Sequence, residues 1–304
     1  VKTKTTIKSF KPKTINIKAD EEFIENNLID LPFIYYYKSK TPITNVKYEW
    51  VSSDNKKKSI EVRSSSLGVP SSYDYDVLLA LLRLYVKQKG DRIVCQENID
   101  NLTEFDNTVY FSYRQVIAEM GYKSYSVHLK EKVDESIERL CDTNIYNIGG
   151  GIYNPFTKEY IKDYKYQINI LYDYKSYNYI IIGQDENGEN VVKLDKKSLK
   201  DKVSVKIGLF FLKNLLCGKG KISDKSLRLS LKLDISKRLY LILNKWRNGR
   251  GKVFLKFNTL YARIPLTEDK TDYYRKRRLK DACKELKDIG FINDFIFNKL
   301  GVIF

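Results

Sequence analysis

The sequence predicts an α+β protein made of two winged helix-turn-helix units in tandem, on the strength of a repeated order of elements and a basic charge balance. Each repeat runs from an apolar helix through a short aromatic strand and a short helix to a long helix, then into a β-rich tail. The 304 residues hold 55 Lys and Arg against 38 Asp and Glu, a net charge of +17. That length accommodates two domains, each with its own core. That charge suits a polyanion such as duplex DNA. The chain is crowded with Lys, Ile, Asn, Tyr and Phe, a bias that raises Lys by itself. The same bias would raise Asp and Glu, so the imbalance still carries information.

Residues 1–40 read as an N-terminal arm, polar and Lys-rich over 1–30 apart from one apolar turn at Phe23-Ile24. A first winged-helix domain is expected over 41–175, a connector over 176–220 and a second winged-helix domain over 221–304. The alternation Val46, Tyr48, Trp50 and then Ile60, Val62, around Ser52-Ser53-Asp54-Asn55, predicts a hairpin. Gly68, Pro70 and Ser71-Ser72 end it, and Asp74 or Asp76 offers a cap for the apolar helix beginning at Tyr75. Val109-Tyr110-Phe111 is the first aromatic strand, Tyr113–Met120 the short helix and Ser124–Asp142 the long one. Asn144–Ile148 then reads as a strand, Gly149-Gly150-Gly151 with Asn154-Pro155 as the tip of a wing, and Tyr166, Ile168, Ile170 and Tyr172 as one returning strand. In the connector, Asp185-Glu186-Asn187-Gly188 is a turn between short strands and Ile207–Leu216 an apolar helix.

The second copy begins with the helix Ile235–Leu243 and continues through the strand Lys252–Phe257 and the short helix Thr259–Ile264. It ends in the long helix Asp272–Asp288 and the β-rich Phe291–Phe297. Leu129, Val133, Ile137 and Leu140 define one buried face of the first long helix; Leu279, Ala282, Cys283 and Leu286 define that of the second.

The third helix of a helix-turn-helix meets the major groove with its first turns. In the first unit this singles out Tyr125, Ser126, His128 and Lys130, since the later exposed positions Glu131, Asp134, Glu135 and Glu138 would be repelled by phosphate. In the second it singles out Tyr273, Arg275, Lys276, Arg277 and Arg278, with the tyrosines placed either in the core or on phosphates. Arg114 on the short helix and Lys270 ahead of the last long helix complete the DNA-binding set. Arginine is the better guide, because a planar guanidinium matches phosphate and guanine edges. Arg228, Arg238, Arg247, Arg250, Arg263, Arg275, Arg277 and Arg278 all fall in the last quarter or so of the chain.

Other chemistry finds little support. Cys95, Cys141, Cys217 and Cys283 are scattered and His128 is the single histidine, so neither a zinc site nor a disulfide framework is indicated, and the cysteines read as reduced and buried. One histidine cannot supply the His-hydrophobe-His metal pair of a rolling-circle nickase. Gly218-Lys219-Gly220-Lys221 lacks the first glycine and the following Ser or Thr of a phosphate loop. No Gly-x-Ser-x-Gly or Cys-His arrangement points to covalent hydrolysis. No apolar run approaches the ~18 residues of a membrane helix. The expectation is binding without enzymatic chemistry, cofactor or metal, in the cytoplasm and associated with the nucleoid or a plasmid. A DNA-processing enzyme is the alternative from another class.

Several segments carry a family likeness: Leu31-Pro32-Phe33-Ile34, Tyr48-Glu49-Trp50, Leu67-Gly68-Val69-Pro70-Ser71-Ser72-Tyr73-Asp74-Tyr75-Asp76-Val77-Leu78, Phe210-Phe211-Leu212-Lys213-Asn214, and Leu231-Lys232-Leu233-Asp234-Ile235-Ser236-Lys237-Arg238-Leu239-Tyr240. With them the chain resembles the replication initiator protein A family of plasmids over most of residues 31–304. The resemblance implies a tandem winged-helix protein that binds repeated duplex sites at an origin, helps open it and brings in the host helicase machinery. A host initiator and further copies of the chain are the other partners to expect, and a membrane is not. The runner-up is a winged-helix transcriptional regulator that represses its own gene.

Overall fold

The computed structural model describes residues 13–36, 41–51, 56–95, 107–154, 159–162, 166–176, 179–184, 190–194, 203–247, 249–266 and 271–304. Lys270 and the turn at 185–188 lie outside the described residues.

The chain enters through β1 (Thr14–Asn16), β2 (Glu21–Glu25) and the short helix α1 (Asn26–Asp30). The alternating apolar positions then form the antiparallel hairpin β3 (Asn45–Val51) and β4 (Lys57–Arg63), with Val46, Tyr48, Trp50, Ile60 and Val62 turned inward. Ser71, one turn earlier than either expected acid, caps α2 (Ser72–Gln88): its hydroxyl accepts from the Asp74 N–H while the Asp74 carboxylate accepts from the Ser71 N–H. After β5 (Arg92–Val94) come β6 (Thr108–Phe111), α3 (Tyr113–Glu119) and α4 (Val127–Asp142). Ser112 and Gln115 close a second capping box on α3. Val133, Ile137 and Leu140 of α4 are buried and Leu129 packs against the same core, as its periodicity predicts.

The segment after α4 departs from expectation. Strand β7 (Asn144–Asn147) pairs with β4, and through it joins the β3–β4 hairpin; Ile145 lies opposite Val62. Gly149–Gly151 is therefore a turn pressed against β4 instead of a wing tip: a Cβ on Gly149 would sit 2.1 Å from the Ser59 hydroxyl oxygen. Past β8 (Tyr153–Asn154) and β9 (Glu159–Tyr160), the expected single strand around Ile168 divides into β10 (Gln167–Asn169) and β11 (Leu171–Ser176). These sit in different sheets, β10 beside β7 and β11 beside β14 (Val203–Ile207). Between β11 and β14 the chain runs through the paired strands β12 (Tyr179–Gln184) and β13 (Asn190–Leu194). Since β14 also pairs with β6, the first wing is the long hairpin over 171–207, in the stretch expected to be a connector.

Beyond it, α5 (Leu209–Leu216), β15 (Gly220–Asp224) and α6 (Lys225–Ser230) lead to α7 (Asp234–Arg247). Then follow β16 (Phe254–Lys256), α8 (Phe257–Arg263), α9 (Asp272–Asp288), β17 (Ile296–Phe297) and β18 (Gly301–Ile303). The last three strands form an antiparallel sheet in the order β16-β18-β17, the counterpart of β6-β14-β11 in the first half. Helix α9 buries Leu279, Ala282, Cys283 and Leu286. The fold is α+β with a helix, strand, helix, helix, hairpin unit in each half.

Residues 13–36 are not a loose arm. Strand β1 pairs with β5 and β2 with β15, so one short segment is stitched to both halves. Phe23, Ile24, Leu28, Ile29, Leu31, Phe33 and Ile34 are all buried. Arg228 of α6 donates to Glu22 at 2.6 and 3.1 Å and also to Asp76 of α2, all behind a surface that leaves the arginine 2% exposed. Arg228→Ala would strand the Glu22 carboxylate in the interior, while Asp76 keeps Lys237 at 2.7 Å, and is expected to cost about 3–5 kcal/mol. The check is the urea midpoint of unfolding; a loss below about 1 kcal/mol would mean that Glu22 regains solvent and that the junction is not held by this group.

Candidate nucleic-acid interface

The start of α9 is built by its cap. The Thr271 hydroxyl accepts from the Tyr274 N–H, leaving the first turn facing outward with Tyr273 76% exposed. Within that turn the four basic residues part ways. Arg275 lies over the ring of Tyr261 at 4.9 Å and Lys276 over the ring of Phe257 at 4.9 Å, both rings belonging to α8. Lys276 also pairs with Asp272 at 2.8 Å, which holds the Asp272 carboxyl below the usual carboxylate range. Arg275 and Lys276 are half-buried and fasten α9 to α8, whereas Arg277 is exposed and Arg278 lies over the ring of Tyr274. Tyr273 and Tyr274 stand on the surface, so the core alternative for them does not hold.

From Arg277 the exposed side continues through Lys280 and Lys284 at helical spacing, giving a basic stripe with Tyr273 at its head. Lys280 and Lys284 were not singled out by sequence, although their i+3 and i+7 relation to Arg277 was there to be read.

In the first unit the structure brings Arg114 of α3 and Tyr125 together, the guanidinium 5.0 Å from the ring centroid, with both side chains exposed. Ser126 serves as the cap of α4, its hydroxyl accepting from the Leu129 N–H at 3.2 Å. His128 is exposed, while Lys130 is half-buried over the ring of Tyr113 at 5.1 Å. That ring is fixed in turn, because its hydroxyl donates to Asp134 at 2.7 Å. Tyr122 and Lys123, exposed just ahead of Tyr125, extend this surface and were missed because they precede the helical pattern. Farther along α4, Glu131, Glu135, Glu138 and Asp142 form an exposed acidic ridge. Partial burial and the carboxylates of Asp134, Asp142 and Glu135 push the Glu138 carboxyl up.

Among the described residues no group of three or more His, Cys, Asp or Glu side chains could hold a metal ion, and all four cysteines are free thiols. No described helix is long and apolar enough to cross a membrane.

No protein-family model and no curated protein matches this chain. Among solved structures, the selenomethionine form of domains 2 and 3 of RctB matches with a TM-score of 0.57 at 14% identity, over 91% of this chain and 95% of that one. A second structure of RctB domains 2 and 3 has a TM-score of 0.48 at 14% identity, over 88% and 92% of the two chains. The first likeness spans nearly all of both chains, and it is a likeness of fold.

The stacking of Arg275 and Lys276 on α8 makes them stabilising groups. Arg275→Ala is expected to lower unfolding free energy by about 0.5–2 kcal/mol, the range of a cation over an aromatic ring. Arg277→Ala, touching no ring, is expected to leave the urea midpoint unchanged. Equal effects from the two would overturn this division.

Proposed function

We propose that this protein is a plasmid replication initiator that binds repeated duplex sites at an origin through both of its winged-helix units, and acts without enzymatic chemistry. One observation carries the reading. Each third helix has an exposed tyrosine against an arginine near its start, Tyr125 just ahead of α4 with Arg114 of α3 and Tyr274 with Arg278 one turn further along α9, in a chain of net charge +17. A planar cation and an aromatic ring at the first turn of such a helix suit phosphate and base edges together. The fold shared with RctB domains 2 and 3 supports the architecture on which this rests. The sequence likeness to the initiator protein A family favours an initiator over a regulator of the same fold.

Arg277, Lys280 and Lys284 are assigned to the backbone of one duplex segment, with Tyr125, Arg114 and His128 at the next. Arg277→Ala and Lys280→Ala are each expected to reduce the slope of log K against log salt by about 1, with similar loss on all sequences. The measurement is fluorescence anisotropy on duplexes carrying the repeats upstream of the gene, from low to moderate salt. Unchanged slopes in the double variant would remove α9 from the interface. For function, the gene with its upstream repeats is placed on a plasmid lacking any other origin. Autonomous replication that disappears with Arg277→Glu is the expected outcome; tight binding of the repeats without replication or strand opening in the native host would favour the regulator.

A further inference from the structure

The sheet of the second wing has an outer face that no described residue covers. The register places Phe254 of β16 and Ile296 of β17 on either side of Ile303 of β18, so three apolar side chains form one row across all three strands. Ile296 is 58% exposed and Leu300, in the β17–β18 turn, 70%. Their inward neighbours Leu255 and Val302 are buried, so the row belongs to the face turned away from the core. A contiguous apolar patch of this kind marks an interaction surface. Its rim is mainly cationic: Lys252 just ahead of β16 and Lys256 within it flank Phe254, and Lys299 stands beside Leu300, all exposed, while the carboxylate near Ile296, Asp294, is paired with Lys287 at 2.9 Å.

The rim chooses among occupants. The same face of another copy would bring lysines against lysines, and DNA would gain nothing from the apolar row. The complement lies elsewhere on the chain, along α4. Its exposed stripe begins with Val127, 66% exposed, and continues through Glu131, Glu135, Glu138 and Asp142 at helical spacing. Glu135 already pairs with Arg139, but Glu138 is crowded by Asp134, Asp142 and Glu135, a cost that an approaching cation relieves.

We infer that the outer face of the second wing of one copy docks on the acidic ridge of α4 of another, a head-to-tail contact between copies of this chain. Because the two surfaces differ, a pair of copies keeps one of each unused at its ends, so the contact can repeat from copy to copy. It thus lengthens along a series of direct repeats, and it rests on the proposed function only for that consequence. The lysines meet carboxylates while Phe254 and Ile296 cover Val127 and the apolar stems beside it.

The test uses the full chain without DNA, by sedimentation equilibrium at low and moderate salt. The wild type is expected to associate reversibly as concentration rises, and less so in salt. K252E/K256E in the wing and E131K/E135K in the ridge are each expected to weaken association about tenfold or more, since each sets like charges face to face. An equimolar mixture of the two variants is expected to recover association, because the reversed wing fits the reversed ridge and the unaltered surfaces still fit each other. F254S/I296S probes the apolar row without altering charge and is expected to remain monomeric. Circular dichroism of each variant excludes misfolding as the cause. A monomeric wild type at every concentration, association indifferent to both reversals, or no recovery in the mixture would overturn the docking. Duplex binding to a single repeat is followed separately by anisotropy, so a failure of DNA recognition and a failure of self-association are read on different instruments.

Discussion

The carbonyl end of one short helix, α1, is the point on which both halves of this molecule lean. The last carbonyls of a helix have no partner within it and must find donors elsewhere. Here those donors are cations from the second half of the chain. Arg238 of α7 donates to the carbonyls of Leu28 and Leu31 at 2.9 and 2.8 Å, Arg263 of α8 to that of Asp30 at 2.6 Å, and Lys245 to that of Asn26 at 2.9 Å. From the first half, the Tyr75 hydroxyl of α2 donates to Leu28 as well. Guanidinium groups taken from water cost several kcal/mol each unless their donors are satisfied. Arg238 is 1% exposed, and this socket of carbonyls, with the ring of Tyr75 at 5.4 Å, is what makes its burial tolerable. The same cations lie over aromatic residues of the first half, Arg263 over Trp50 at 4.6 Å. A segment of about twenty residues therefore sets the relation between two units that the sequence presents as separate.

What the sequence could and could not reveal follows from the range of each signal. Helix α9 runs from Asp272 to Asp288 as expected, because its cap at Thr271 and its apolar positions from Leu279 to Leu286 are local. Likewise α3 and β6 fall where the short-range pattern puts them. Strand partners are another matter. Asn144–Asn147 had to choose between the edge of β6 and the edge of the β3–β4 hairpin, and a period of two records only which side chains face inward. The opposition of Ile145 to Val62 decided it, across 83 positions of sequence. The same limit hid the first wing, since its second strand β14, central in the sheet, meets β6 from the far side of a long hairpin. The arm was misread because its lysine-rich start set the reading for the whole segment: Leu28, Ile29, Leu31, Phe33 and Ile34 stand close together, but with no helical or alternating period to say what element they form.

The site was legible in kind and only partly in detail. The run Tyr273–Arg278 sits at the start of the third helix, yet nothing local to it points to Tyr261 and Phe257 on the neighbouring helix, which take up Arg275 and Lys276. The concentration of arginine late in the chain misled in the same way. Arg228, Arg238 and Arg263 are buried structural groups, so charge counted along a sequence overstates charge offered to a ligand. Ser126 shows the reverse economy, a residue at the tip of a recognition helix whose hydroxyl is already engaged in holding that tip together.

These constraints divide labour between the two units. Helix α9 carries a basic stripe along its exposed length and can follow phosphates for several turns. On α4 an acidic ridge begins at Glu131, after the first turn, and phosphate lying along the rest of that helix would meet repulsion. In the proposed function the first unit approaches DNA end-on, through Tyr122, Lys123, Tyr125, His128 and Arg114, while the second lies along it and supplies most of the attraction. Cations of the second half and the Tyr75 hydroxyl of the first all meet carbonyls of α1, so the two units share one anchoring segment. On that proposal the spacing and phase of two contact regions on a duplex follow from how the units are joined, and a half-turn insertion between them would place one unit on the wrong face of the helix. Discrimination between sites would then come partly from geometry, imposed by groups that never touch the DNA.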